Sequence, residues 1–277
     1  MKKIILHIPH SAKKVPIKRG FVISQERIDN EILKLTDWHT EDLYNSKNCE
    51  SIIFEYSRVF CDPERFSDDS KEPMAKVGMG VLYDKTDDNE VMRIISPVLR
   101  KKILSEYYFK HHSKLNNMVK KQLELNGRAL ILDCHSFPEI PMKRSQHKIV
   151  PRPDYNIGTD KFHTPKKLID ISLKFFEERN LTLGVDYPFS GSIVPMEYYQ
   201  KNKNVESIML GTYIESNVWN WTDENQTAYI IGSEEDTTVI TIESLTDTEA
   251  VFSTYEQPDP VNAPYEVYST VYTFERD

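Results

Sequence analysis

The chain has 277 residues, of which 39% are hydrophobic and 28% charged, and its formal net charge is −8. These values are typical of a soluble globular protein with a large core, and no apolar stretch approaches the roughly 20 residues that span a bilayer. The apolar run near the N-terminus is too short for a signal peptide. Three scattered cysteines without a Cys-x-x-Cys pair predict a cytoplasmic protein that lacks a disulfide framework.

The negative charge is concentrated at the C-terminus. Residues 233–277 contain eleven acidic side chains and one arginine, so they carry −10 and residues 1–232 carry about +2. The main part of the chain has no basic stripe, which argues against nucleic-acid binding. We therefore predict a main domain at 1–232 and an acidic extension at 233–277, which fits a small β appendage, an edge strand or a partly disordered tail equally well.

The apolar pattern predicts alternating strands and helices. In chain order we expect strands at 4–8, 51–56, 128–134 and 207–214, and helices at 24–35, 89–125 and 164–179. Pro97 is expected to kink or divide the second helix, and Gly127 to end it. In the third helix, Thr164 fits the N-cap and Pro165 fits the first helical position. The alternation predicts a layered α/β fold.

Two irregular segments interrupt this pattern, at 58–86 and 137–163. Both are longer than ordinary connections, which favours functional loops. They contain Arg58, Arg65, Arg144 and Arg152, and an arginine fork can bind a substrate carboxylate through two parallel hydrogen bonds. Any one of these arginines fits a surface position as well.

Three predicted strands lead into residues that can bind a metal or move a proton. His10 and His135 each follow such a strand, and Glu215 follows a third. In an open α/β sheet, ligands bind beyond the carboxyl ends of the strands, so these groups could meet in one crevice. The pattern indicates a metal-assisted hydrolase. The alternatives are that His10 and His135 are hydrogen-bonded core histidines, and that Glu215 is a carboxylate at the edge of a strand that faces solvent.

Alternation along the strand at 128–134 separates two neighbouring candidates. Asp133 and His135 share one face, while Cys134 points to the other. We therefore predict that Cys134 is a core thiol, and that Asp133 orients His135 as the hydrogen-bond partner a metal-bound imidazole requires.

The segment 35–42 contains three carboxylates and an imidazole within six positions: Asp37, His39, Glu41 and Asp42. Such side chains are zinc ligands in tetrahedral sites, so one of them could complete a centre with the two strand-end histidines. The alternative is a capped helix start with a solvated charged face.

These motifs resemble the N-formylglutamate amidohydrolase family in order and in spacing, over residues 3 to about 220. The resemblance rests on His7-Ile8-Pro9-His10-Ser11, the segment Leu35 to Tyr44, Tyr56-Ser57-Arg58 with Asp62-Pro63-Glu64-Arg65, Leu132-Asp133-Cys134-His135-Ser136, Asp154 to Thr159, Tyr187 to Ser192, and Ile214-Glu215-Ser216-Asn217. The family is related in fold to zinc-dependent exopeptidases and cell-wall amidases. The resemblance thus implies a mixed, mostly parallel sheet flanked by helices.

The resemblance also implies roles for individual residues. His10 and His135 match metal-site histidines, and Asp37 matches the acidic ligand, with His39 or Asp42 as less favoured substitutes. Glu215 matches the general base. His112 resembles a helix histidine without an assigned role.

Together, the residues and the resemblance predict a zinc-dependent amidohydrolase acting on an N-acyl amino acid such as N-formyl-L-glutamate. Zn²⁺ bound by His10, Asp37 and His135 would lower the pKa of a water molecule toward about 7, and Glu215 would accept its proton. We expect Arg58, Arg65 or Arg144 to bind the carboxylate of a small-molecule substrate. The alternatives are a peptide or cell-wall amidase with the same zinc centre, and a non-catalytic binding protein on a degenerate hydrolase scaffold.

Overall fold

The computed structural model describes residues 4–47 and 49–214, and the backbone of residues 218–221, 228–231, 237–245, 249–256 and 271–275. The chain divides into two compact units, Met1–Ile214 and Glu215–Asp277. The predicted boundary between residues 232 and 233 lies outside the described residues and stays a prediction.

The first unit is built on a six-stranded sheet in the order β2-β1-β3-β6-β4-β5. Its strands are β1 (Ile4–Ile8), β2 (Cys49–Ile53), β3 (Ala129–Pro138), β4 (Tyr155–Gly158), β5 (Leu183–Val185) and β6 (Val205–Ile214). All neighbours pair in parallel except β4 and β6, which are antiparallel. The predicted mixed, mostly parallel α/β sheet is confirmed. Its carboxyl edge at β1 and β3 carries the two candidate histidines.

The helices are α1 (Gln25–Leu35), α2 (Thr40–Leu43), α3 (Pro97–Ile103), α4 (Phe109–Asn126) and α5 (Lys166–Glu177), with a 3₁₀ turn at Pro73–Val77. Helix α4 packs on one face of the sheet, where Leu115 and Val119 join Ile5 and Ile131 in a buried cluster. Leu6, Ile8 and Cys134 form a smaller cluster from the alternate positions of β1 and β3. Strand alternation therefore turns the odd-numbered residues of β1 and β3 toward α4.

The predicted helix at 89–125 is wrong over its first turns. Residues 89–95 are not helical: Asn89 lies in a turn at φ 63°, and bridges join Phe21 to Arg93 and Lys85 to Val91. The helix begins at Pro97, because the Ser96 hydroxyl accepts the Leu99 N–H and proline lacks an N–H that would need a partner. A π-helical turn, Leu104–Tyr108, then joins α3 to α4. Gly127 ends α4 in the left-handed region at φ 69°, as predicted.

The predicted capping of the third helix also needs correction. Helix α5 begins at Lys166, with Pro165 at the N-cap and no side-chain cap. The Thr164 hydroxyl instead donates to the Ser207 carbonyl at 2.6 Å, which ties the start of α5 to β6. The Thr164 hydroxyl thus makes a tertiary hydrogen bond to β6 and does not cap α5.

The second unit contains an antiparallel sheet in the order β11-β10-β9-β8-β7. Its strands are β7 (Val218–Trp221), β8 (Ala228–Ile231), β9 (Thr237–Leu245), β10 (Glu249–Glu256) and β11 (Val271–Glu275). The segments 237–242 and 265–274 alternate like strands in the sequence; the first lies in β9, and residues 271–274 of the second lie in β11. Across the described parts of both units, no helix combines the length and the apolar character that crossing a membrane requires.

Candidate metal centre

The two strand-end histidines meet above the carboxyl edge of the sheet. Strands β1 and β3 are parallel neighbours, with His7 opposite Asp133 in register. His10 follows β1 by two residues, whereas β3 extends to Pro138 and so contains His135, which the sequence had placed after the strand. The rings of His10 and His135 lie with their centroids 5.1 Å apart. The Asp37 N–H donates to the His10 carbonyl at 3.0 Å, which brings the segment after α1 to the same place.

His10, Asp37 and His135 form a group with the donor atoms of a zinc site. Oδ2 of Asp37 lies 3.6 Å from His10 Nδ1 and 2.8 Å from His135 Nδ1. Two ligands of a tetrahedral zinc ion, each at about 2.1 Å, lie roughly 3.4 Å apart, so small adjustments would accommodate the ion. His10 Nδ1 is buried and has no hydrogen-bond partner among the described residues. A buried nitrogen with a free lone pair suits a metal ligand.

The competing residues of the 35–42 segment are exposed. His39 precedes α2 in the left-handed region at φ 61°, and both it and Asp42 face solvent, whereas Asp37 is 6% exposed. Of these three, only Asp37 belongs to the group of potential ligands.

Each residue of the group has a partner on its far side. Asp62 Oδ1 lies 2.9 Å from His10 Nε2, and Arg58 donates to Asp37 Oδ1 at 3.3 Å. Glu64 Oε2 lies 3.2 Å from His135 Nε2. Such partners fix which ring nitrogen carries the proton and leave the other nitrogen free for a cation.

The electrostatics of the group favour a bound cation. Burial raises the pKa of Asp37, but its contacts with His10 and His135 and the charge of Arg58 outweigh it and hold the pKa below its usual value. The pKa of Asp62 is also well below normal, because His10, Arg58 and Arg65 outweigh its burial. Burial lowers the pKa of His135, yet Glu64 and Asp133 raise it well above the usual value. The carboxylates are therefore ionised, and a metal ion would replace the His135 proton.

Asp133 binds a histidine that the sequence did not single out. Its Oδ1 lies 2.8 Å from His7 Nδ1 and 3.5 Å from His135 Nε2, so its hydrogen bond is with His7. His7 Nε2 in turn lies 2.9 Å from His111 Nε2 of α4. Cys134 is fully buried on the other side of the strand, as predicted, and burial raises its pKa.

The three predicted substrate-binding arginines have different surroundings. Arg58 is held by Asp37, Asp62 and the Tyr83 hydroxyl, and its side chain is 14% exposed. Arg65 is 24% exposed, with its Nε 3.6 Å from Asp62. Arg144 is 5% exposed and donates to the Val77 carbonyl at 3.1 Å.

Two other predicted functional residues lie away from this group or cannot be described. Glu215, the predicted general base, lies outside the described residues. His112 Nε2 bonds to the Pro63 carbonyl at 2.8 Å, and its ring packs on Tyr108, so it anchors the 58–86 loop to α4.

The sequence interpretation missed His7, Asp62, Glu64 and Tyr83. The sequence did contain a signal for three of them. His7 belongs to the same motif as His10, and Asp62 and Glu64 belong to the motif Asp62-Pro63-Glu64-Arg65. Tyr83, which donates to Asp62 at 2.7 Å, carried no local signal because it lies in an irregular loop.

Comparisons with known proteins give the family and the fold of the chain. The sequence profile of the N-formylglutamate amidohydrolase family matches residues 2–212. A crystal structure of N-formylglutamate amidohydrolase from Ralstonia eutropha JMP134 is similar, with a TM-score of 0.65 and 18% identity over 76% of this chain and 81% of that chain. A gene product from Agrobacterium tumefaciens is similar with a TM-score of 0.53 and 13% identity over 76% and 80%. At these identities the structural likeness shows the fold. Curated proteins gave no match.

Proposed function

The chain belongs to the N-formylglutamate amidohydrolase family, and from this membership we propose that it is a zinc-dependent enzyme that hydrolyses the amide of an N-acyl amino acid such as N-formyl-L-glutamate. The observation that carries the proposal is the convergence of His10, Asp37 and His135, with a buried, unpartnered Nδ1 on His10. A cytoplasmic location remains a prediction from the sequence.

His10, Asp37 and His135 would hold the zinc ion, which supplies Lewis-acid polarisation of a carbonyl and lowers the pKa of water. Asp62 keeps the proton of His10 on Nε2, so that Nδ1 presents its lone pair. Arg58 occupies Oδ1 of Asp37 and leaves Oδ2 for the cation. These contacts pre-form the ligand geometry before any ion binds.

Two further roles complete the proposal. Glu215, which follows β6 in the chain, acts as general base and returns the proton to the leaving amine. Arg65 binds the substrate carboxylate. It is supported over Arg58 by its greater exposure and by its single carboxylate neighbour, since Arg58 is committed to two carboxylates and a hydroxyl.

The proposal is tested by metal analysis and an activity screen on the same preparations. Wild-type protein should retain at least one zinc per chain after dialysis, and His135→Ala should lose metal. His39→Ala, which changes an exposed histidine nearby, is the control and should keep it. Wild-type protein should hydrolyse N-formyl-L-glutamate or a related N-acyl amino acid, and Glu215→Gln should keep the zinc and lose turnover.

Either half of the experiment can overturn the proposal. Wild-type protein that binds no zinc even when zinc is supplied would refute the metal centre. Zinc-loaded protein that cleaves peptides but no N-acyl amino acid would refute the substrate class.

A further inference from the structure

A second group of potential metal ligands lies beside the first. It consists of His7, Glu64 and Asp133, whose donor atoms all lie within 4.8 Å of one another. His7 Nδ1 is 3.8 Å from Glu64 Oε1 and 2.8 Å from Asp133 Oδ1. His7 lies on β1 and Asp133 on β3, the same strands that position His10 and His135. Glu64 lies in the loop of Asp62, which contacts His10.

The spacing of the second group matches that of the first. In each group one nitrogen–oxygen pair stands at hydrogen-bond distance, 2.8 Å, and another stands wider, at 3.6 Å in the first and 3.8 Å in the second. Both wide pairs are close to the roughly 3.4 Å that separates two ligands of one zinc ion. The second group therefore needs no larger adjustment than the first.

The second group also has outer partners on the far sides of its donor atoms. His7 Nε2 bonds with His111, and Asp133 Oδ2 accepts the Ile193 N–H at 3.0 Å. Nδ1 of His7 and Oδ1 of Asp133 are hydrogen-bonded to each other at 2.8 Å, as Nδ1 of His135 and Oδ2 of Asp37 are in the first group. In both groups a cation would replace the proton that the two atoms share.

Glu64 lies between the two groups, and its oxygens face different ways. Oε1 is directed to His7, while Oε2 lies 3.2 Å from His135 Nε2 and 3.9 Å from His10 Nε2. Oε2 thus contacts the Nε2 atoms of His135 and His10, away from their Nδ1 atoms, which face Asp37. Oε1 is the oxygen that Glu64 presents to the second group.

We propose that His7, Glu64 and Asp133 bind a second divalent cation beside the ion held by His10, Asp37 and His135. This inference rests on the proposed first metal centre. Two neighbouring divalent ions can together stabilise the attacking and the leaving group of a hydrolysis. The mixed nitrogen and oxygen donors fit Zn²⁺, Mn²⁺ or Co²⁺.

The charge of the cluster is consistent with more than one divalent ion when an anionic substrate binds. Its charged side chains are four carboxylates and two guanidinium groups: Asp37, Asp62, Glu64, Asp133, Arg58 and Arg65. With neutral histidines the net charge is therefore about −2, which a single divalent ion would cancel. The second ion adds positive charge that a substrate carboxylate can offset. We accordingly expect the second ion to bind more weakly than the first and to bind more tightly when such a substrate analogue is present.

The test is a manganese titration of metal-free, full-length protein, followed by equilibrium dialysis and electron paramagnetic resonance. Wild-type protein should bind two Mn²⁺ per chain in two steps, and the second ion should broaden the spectrum of the first through the magnetic interaction of neighbouring ions. Glu64→Gln should bind one Mn²⁺ and keep the unbroadened spectrum of an isolated ion. Glu139→Gln, which changes an exposed glutamate after β3, is the matched control and should behave as wild type.

A single Mn²⁺ per chain in wild-type protein, up to millimolar free metal, would overturn the second site. Two Mn²⁺ in wild-type protein without any broadening, or two Mn²⁺ bound by Glu64→Gln, would overturn the proposed position of the second ion. The wild-type measurement stands even where the variant fails to fold. One ion with amide hydrolysis would leave the proposed function intact, whereas two neighbouring ions without any amide hydrolysis would refute that function and keep the metal pair.

Discussion

The two long loops of the first unit, 58–86 and 137–163, both carry arginines, but those arginines have different neighbours. In the first loop, Arg58 pairs with Asp37 and Asp62 close to the candidate metal centre. In the second, Arg152 lies between the rings of Phe137 and Phe189 and donates to the Pro138 carbonyl at 2.8 Å. Burial lowers the pKa of Arg152, whereas the pKa of Arg58 is raised because nearby carboxylates and Tyr83 outweigh its burial.

This contrast shows that the position of an arginine in a long loop does not define its role. The guanidinium of the first loop balances buried carboxylates, so it is part of the electrostatics of the site. In the second loop, Arg144 lies 3.8 Å from Asp87 and 4.0 Å from Glu31 and donates to the Val77 carbonyl, so it pairs with carboxylates away from the candidate metal centre. Arg152 bonds to a carbonyl between two aromatic rings and fastens its loop to its surroundings.

The largest difference is expected between Arg58→Met and Arg152→Met. Removing Arg58 takes a counter-charge from the buried Asp37 and Asp62, which should cost about 3–5 kcal/mol in the free energy of unfolding. Removing Arg152 loses a bond to a carbonyl and its contacts with two aromatic rings, which should cost about 1–2 kcal/mol. Urea unfolding of metal-free protein measures both. Equal losses in the two variants would contradict the distinction between the loops.

A pH-dependent difference is expected at His112, which ties the first loop to α4. Burial lowers its pKa from 6.5 to about 4, so the folded protein binds fewer protons than the unfolded chain between these values. The stability that depends on neutral His112 is fully present above pH 6.5 and is lost as the pH falls toward 4. The loss should approach ~3 kcal/mol.

His112→Gln should remove that part of the pH dependence while keeping a donor for the Pro63 carbonyl. The measurement is urea unfolding of metal-free protein at pH 7 and pH 4.5. His147→Gln, an exposed histidine of the second loop, should retain the full wild-type slope. An unchanged slope in His112→Gln would show that other groups cause the acid sensitivity.

The two loops should also differ in substrate binding. Arg65→Gln removes a charged hydrogen bond to the substrate carboxylate, which corresponds to about 2 kcal/mol, or roughly a 30-fold rise in KM. Its kcat should change much less. Arg152→Gln should leave KM for N-formyl-L-glutamate within about threefold. A larger rise in KM for Arg152→Gln than for Arg65→Gln would reverse the assignment.

The smallest effect is expected from removing a single hydroxyl. Tyr83→Phe deletes the donor to Asp62 and should cost about 1 kcal/mol of stability. Tyr187→Phe deletes an exposed bond to the Ile149 carbonyl, made at the second loop, and should cost less than about 0.5 kcal/mol. Thermal unfolding of both variants beside wild type gives the comparison, and a larger loss for Tyr187→Phe would contradict it.

Local patterns predicted much of the fold. The four main strands and α1 lie where the apolar periodicity placed them, and Ser24 caps α1 by accepting the Arg27 N–H. The first part of the predicted helix at 89–125 failed because periodicity cannot distinguish an extended, bridged segment from a helix when both bury apolar residues. Pro97 marked the true start.

The sequence by itself determined which side chains share one face of the sheet near the carboxyl ends of β1 and β3. Strand alternation places His7, Asp133 and His135 on one face and Cys134 on the other, because side chains alternate along every strand whatever surrounds it. Tertiary structure decided which carboxylates meet those imidazoles. Asp62 and Glu64 lie in an irregular loop whose path is fixed by distant contacts, among them the bonds from His112 to the Pro63 carbonyl and from Tyr108 to the Arg65 carbonyl. A local pattern carries no information about such contacts.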